Sequence, residues 1–130
     1  MSHLLDTDWA IDYLNRIPRT VRRVDALRSE GIAISIVSIA ELYEGALNSN
    51  DPERDEKLLV DFLQQHPIMH LDVAICRIFG MERARLRAAG TLIQDMDLLI
   101  GATALHHDLT LLSNNRRHFE RLSGLRIISV

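Results

Sequence analysis

Three groups of carboxylates in this chain stand beside short apolar runs. Asp6 and Asp8 lie in "LLDTDWAID", Glu41 in "SIAELYEGA", and Asp95 and Asp97 in "QDMDLLIGATAL". Two carboxylates held about 4 Å apart repel by roughly 4 kcal/mol at an effective dielectric near 20. A fold that gathers three or four of them needs a cation or shared protons to offset that repulsion. The donors would be hard oxygens, with no cysteine cluster and no chelating histidine pair beside them, which points to Mg2+ or Mn2+. Such ions polarise a phosphoryl oxygen and turn water into a nucleophile for in-line displacement.

Taken singly, each acid has a structural reading. Asp6 and Asp8 can cap a helix starting near Trp9, and Asp95 can cap the helix that follows it. Ser38 and Glu41 spell S-x-x-E, a capping box in which the glutamate reaches back to the cap residue's amide. Glu44, one turn beyond Glu41, falls on the polar side of the same helix. The set is harder to explain this way, because a helix start needs one cap and these carry spare carboxylates.

The acids converge only if the elements between them allow it. Strand candidates are "HLLD" (3–6), "IAISIV" (32–37), "IMHLD" (68–72), "LTLLS" (109–113) and "LRIISV" (125–130). Between them lie helical patterns. Ile39, Leu42, Tyr43, Ala46 and Leu47 follow the i, i+3, i+4, i+7, i+8 spacing. The segment 53–65 gathers Leu58, Leu59, Phe62 and Leu63 on one side, and 73–89 is apolar on one face with arginines around the rest. The helix after Asp97 has no polar face at all, as expected of a helix buried in the core. Alternating strands and helices predict a parallel sheet covered on both sides, with ligands bound beyond the carboxyl ends of the strands. Asp6 follows the first strand, Ser38 and Glu41 the second, and Asn114 and Asn115 the fourth. All of these share one sheet edge, where the buried helix can add Asp95 and Asp97.

The 130 residues predict one domain (1–130), and a hydrophobic content of 47% is enough for a core without staples. Cys76 is the single cysteine, so no internal disulfide can form, which suits a reducing cytoplasm. The opening "MSHLLDTD" has no signal-peptide pattern, and no run is long enough to span a bilayer. The expected location is therefore cytoplasmic, with no membrane partner. The net charge of −3 gives no electrostatic signature of nucleic-acid binding, but Lys57 is the only lysine and every other basic residue is arginine. Arginine's planar fork suits bidentate phosphate contacts; arginine-favouring codon usage explains the bias equally well.

In order and spacing, "LLDTD", "SIAELYEGA", "DMDLLIGATAL" and "LLSNNRRHFERLSGLRI" resemble the PIN-domain ribonucleases, and more narrowly the VapC-type toxins of bacterial type II toxin–antitoxin systems. The resemblance runs from Leu4 almost to the last residue. It implies a PIN-like three-layer α/β/α sandwich with a central parallel five-stranded sheet. It places the family's first acid at Asp6, the second at Glu41 and the third at Asp97, with Asp95 as a companion. The fourth position falls on Asn115, the hydroxyl before it on Ser113, and the residue after the first acid on Thr7. Where the family usually has asparagine two residues after the first acid, this chain has Asp8, either a further metal ligand or a residue that positions Asp6. The implied activity is a metal-dependent endoribonuclease using Mg2+ (or Mn2+) on structured RNA, tRNA included. Asp6, Glu41 and Asp97 would hold the ion with Asp95 in support, and Arg116 and Arg117 are candidate contacts to the RNA backbone. The implied partners are a second copy of the chain, as a homodimer, and a VapB-type antitoxin whose tail occupies the acidic site.

Other signals carry less. Adjacent His106 and His107 point about 100° apart on a helix and do not chelate as an i, i+4 pair does. Cys76 sits in an apolar helical pattern and is expected to be buried and inert. Trp9, Tyr13, Phe62 and Phe79 read as core, and Arg16, Arg19, Arg22 and Arg23 as a solvated helix face. "DTDWA" also resembles the start of haloacid-dehalogenase phosphatases, whose late lysine has no counterpart near residues 75–95. The main alternative is a PIN-like scaffold that binds RNA or a protein without cutting, favoured by Asp8 and the uncharged Asn115.

Overall fold

The computed structural model describes residues 1–130. Five strands form one sheet: β1 (His3–Leu5), β2 (Ile32–Ser35), β3 (Ile68–Met69), β4 (Thr110–Leu112) and β5 (Ile127–Ile128). They lie in the order β3-β2-β1-β4-β5, and every pairing is parallel. Seven helices make the connections: α1 (Thr7–Leu14), α2 (Pro18–Leu27), α3 (Ile36–Leu47), α4 (Pro52–Leu63), α5 (Val73–Ala88), α6 (Asp95–His106) and α7 (Arg116–Phe119).

The central strands read as unbroken apolar runs because both of their faces are buried. Side chains alternate across the pleat. Leu4, Ala33 and Leu111 thus point into one core with Leu86, Leu98, Ile100, Ala104 and Phe119. Leu5, Ile34 and Leu112 point into the other, with Trp9, Val24, Leu42, Leu59 and Phe62. Trp9 and Phe62 are core as expected, while Tyr13 and Phe79 pack against the two cores half-buried. No helix is long and apolar enough to cross a membrane.

Several boundaries differ from those expected from the sequence. The second strand stops at Ser35, whose hydroxyl accepts from the Val37 amide at 3.1 Å and caps α3. Ser38 is therefore inside the helix, buried, with its hydroxyl unpartnered, and the Ser38–Glu41 capping box does not form. The third strand is two residues long, because Asp72 caps α5 by accepting from the Ile75 amide at 2.9 Å. Cys76 is exposed, not buried. The reason lies in α5, which buries only Ile75 and Leu86 completely and leaves Val73 86% and Met81 56% exposed.

α6 meets its neighbours with little space to spare. A Cβ on Gly101 would stand 2.2 Å from Leu122 Cδ1 and 3.6 Å from the Phe119 ring. The missing side chain lets Phe119 and Leu122, which follow β4, pack against the middle of α6, about one turn beyond Asp97.

Candidate active site

The sheet order reverses at β1, which has β2 on one side and β4 on the other. Such a switch point opens a crevice beyond the carboxyl ends of the strands. Asp6 stands at that end of β1, and Ser113, Asn114 and Asn115 follow β4. Register keeps the two ends level, since Leu5 pairs with Leu112 and the Asp6 amide donates to the Leu112 carbonyl at 3.0 Å.

Asp6 is only 4% exposed, and its Oδ2 accepts from the Ser113 hydroxyl at 2.7 Å. Burial is the main cause that lifts its pKa from 3.8 to about 8; the neighbouring Asp8 charge adds to this, and the Ser113 hydrogen bond opposes it. Burial also raises Asp8. Both Asp8 oxygens are engaged, Oδ1 by the Trp9 amide at 2.7 Å and Oδ2 by the Asn114 amide at 3.0 Å. Asn114 completes the clamp by accepting from Trp9 Nε1 at 3.0 Å and from the Val130 amide at 2.9 Å. Asp8 thus ties the start of α1 to the loop after β4.

Asp97 reaches the same crevice from the first turn of α6, its side chain 14% exposed. Its Oδ2 lies 3.3 Å from Asn115 Nδ2 and 2.9 Å from His118 Nδ1. Asn115 Nδ2 also stands 3.1 Å from His118 Nδ1, but a carboxylate has no proton to give, so the shorter Nδ1–Asp97 contact requires the His118 proton on Nδ1 and both groups donate to one oxygen. Asn115 also donates its amide to Ser113 Oγ at 3.0 Å, which links Asp97 through Asn115 and Ser113 to Asp6. Glu41 joins from α3, where its Oε1 accepts from the Thr7 hydroxyl at 2.6 Å.

These contacts bring together Asp6, Thr7, Asp8, Glu41, Asp97, Ser113 and Asn115. Asp95 is not among them. Residues i and i+2 point about 200° apart on a helix, and Asp95 pairs instead with Arg83 of α5 at 3.1 Å. Arg116 is also occupied, with Glu120 at 2.8 Å and with Ser129 Oγ at 3.1 Å, whereas Arg117 is exposed and unpaired. Sequence reasoning missed His118, although its position one turn after Asn115 was a usable signal. It also left Asn114 without a role.

As the side chains stand, no three histidine, cysteine or acidic groups are close enough to hold one ion. The donor chemistry nevertheless fits a hard divalent cation: carboxylate oxygens around a buried Asp6 whose charge is costly beside Asp8. A groove of about 1040 Å3 lies elsewhere. It runs between α1, α2 and α4 past Arg16, Arg22 and Arg54, and none of these site acids lines it. A smaller hollow of about 260 Å3 includes Glu41 at its rim.

The profile of the PIN domain matches residues 3–125. The chain belongs to the PIN-domain family. Within that family the resemblance is to VapC proteins. Ribonuclease VapC2 of Haemophilus influenzae is 34% identical over 97% of this chain and 96% of its own length. The tRNA(fMet)-specific endonuclease VapC of Shigella flexneri is 32% identical over the same shares. Among solved structures, VapBC2 from Rickettsia felis bound to a DNA fragment from their promoter superposes with a TM-score of 0.93 at 28% identity, over 100% of this chain and 99% of that one. The five-stranded parallel sheet expected from the sequence is thus the PIN sheet. Lys57, the only lysine a dehalogenase-like phosphatase could use, is exposed on α4 of this PIN domain.

Proposed function

We propose that this PIN domain is a metal-dependent endoribonuclease of the VapC toxin type, acting on structured RNA and silenced by a VapB-type antitoxin. The observation that carries the reading is the linked set Asp6–Ser113–Asn115–Asp97 at the switch point, with Glu41 held beside it by Thr7. Asp6, Asp97 and Glu41 would hold Mg2+ or Mn2+. When bound, such an ion supplies Lewis acidity toward a phosphoryl oxygen and toward water. The chain's own residues prepare for this. Ser113 orients Asp6, Thr7 orients Glu41, and Asp8 locks the loop that carries Ser113 and Asn115. Arg117, exposed at the start of α7, is available to a phosphate; Arg116 holds the β5 end in place.

The Shigella flexneri relative makes tRNA the first substrate to try, with initiator tRNA ahead of the others. Antitoxin recognition belongs to the same reading, through an arginine of its tail meeting the acids. So does a homodimer, in which the exposed apolar strip of Val73, Cys76 and Met81 on α5 would be covered. The scaffold alternative draws its support from the uncharged Asn115 and from acids that do not yet form a three-ligand set. The test is incubation of the purified, antitoxin-free protein with initiator and elongator methionine tRNA transcripts, and with ribosomal RNA, in Mn2+ and in EDTA, with the ends mapped. Discrete Mn2+-dependent cuts in either tRNA support the nuclease. Intact tRNA and intact ribosomal RNA under every condition would leave the scaffold reading.

A further inference from the structure

Asp97 serves the proposed site as a ligand, whereas His118 beside it has no role so far. A carboxylate on the first turn of a helix is free to rotate, and nothing on α6 itself holds Asp97. The restraint comes from α7. Asn115 Nδ2 and His118 Nδ1 both donate to Oδ2, at 3.3 and 2.9 Å, while Oδ1 has no protein partner. Two donors on one oxygen fix the rotation of the carboxylate and leave the other oxygen as its free acceptor. His118 is half-buried and held by the fold: it lies on α7 beside Phe119, which is fully buried in the core with Leu98 and Ile100 of α6. The packing that sets α7 against α6 thus also sets the imidazole against Asp97.

We propose that His118 is the positioning residue of the metal site, holding Asp97 through Nδ1–H so that Oδ1 is presented to the divalent cation. This rests on the metal reading of the site, and it adds a residue that touches neither the ion nor the RNA. Groups that orient a metal-ligating side chain typically contribute about 10–100-fold to metal affinity.

The chemistry predicts which substitutions succeed. Asparagine places its amide nitrogen close to where Nδ1 stands, and glutamine places its own nearer Nε2. His118→Asn should keep the hydrogen bond, whereas His118→Ala and His118→Gln should lose it. The experiment is calorimetric titration of Mn2+ into the metal-free full chain, wild type and these three variants, with Asp97→Asn as control and circular dichroism to check folding. The expected result is binding by wild type and, within a few-fold, by His118→Asn. His118→Ala and His118→Gln should bind about 10–100-fold more weakly, and Asp97→Asn should not bind measurably. Folded His118→Ala with wild-type affinity would overturn the positioning role while leaving the metal site intact. Equal loss in His118→Asn and His118→Ala would overturn the Nδ1 hydrogen bond as the cause. Wild type that binds no Mn2+ would overturn the metal reading itself, and this inference with it.

Discussion

Replacing Asp6 by asparagine should make the metal-free protein more stable while destroying its proposed activity. Asp6 titrates at about 8 in the fold against 3.8 ordinarily. A tenfold change in proton affinity is worth about 1.4 kcal/mol, so at pH 7 the buried acid costs the native state about 4 kcal/mol relative to a group titrating at its ordinary value. The direction follows from proton counting. The native state holds this proton up to about pH 8, whereas the unfolded chain releases it near 3.8. Stability therefore falls as pH rises between those values, and the penalty is complete above 8 and absent below 3.8. Asparagine can still accept from Ser113 and has no charge to bury, but its amide must also leave water, so the expected gain is about 1–3 kcal/mol at pH 7. The assay is urea denaturation of wild type and Asp6→Asn in EDTA from pH 4 to pH 8. The gap should open as pH rises and nearly close at pH 4. Saturating Mn2+ should narrow it from the other side by stabilising wild type alone. An Asp6→Asn protein no more stable than wild type at pH 8, or a gap independent of pH, would refute the argument from burial.

Three further outcomes are expected. Thr7→Val removes the hydroxyl that holds Glu41 at 2.6 Å. It should cost about 1 kcal/mol in a denaturation experiment and lower RNA cleavage about 10-fold; unchanged cleavage would mean Glu41 needs no support. Gly101→Ala drives a methyl into Leu122 beneath α7 and should lower stability by about 1–3 kcal/mol, read as a fall in Tm, whereas an unchanged Tm would show that Leu122 repacks freely. Cys76 is exposed on the single chain, so in dilute, monomeric protein its thiol should react with a colorimetric disulfide reagent without denaturant, and the reaction should slow as the proposed homodimer forms at higher concentration. A thiol that reacts only after unfolding even in monomeric protein would contradict the placement of α5.

The sheet was legible because strands buried on both faces show their burial as unbroken apolar runs, as in "HLL" and "IAIS". Their ends were less so. "IAISIVSIA" stays apolar from β2 into α3, and two serines there could each serve as the cap; only the packing selects Ser35. Cys76 was misplaced because an apolar spacing shows that a face could be buried, without showing that anything covers it. At the site, Asp6 and Glu41 stand out by type and by their positions after strands, and Asp97 by a second carboxylate at the start of a helix with no polar face. The two acids of "QDMDLL" could not be told apart from the pattern, since the helix is apolar all round and gives no reference face. Arg83, twelve residues earlier, is what claims Asp95. His118 was missed because α7 has four residues, too few for a periodicity to show which side chain faces the crevice.

The central claim is that Asp97 and a divalent ion act together to cut RNA. Its most direct test is a cleavage time course on total tRNA and ribosomal RNA with wild type and Asp97→Asn, each in Mn2+, Mg2+ and EDTA, with folding of the variant checked by circular dichroism. Wild type should give discrete fragments with either ion and none in EDTA, and a folded Asp97→Asn protein should lose at least about a hundredfold of the activity. Cleavage that persists in EDTA, or that survives undiminished in Asp97→Asn, would contradict the claim.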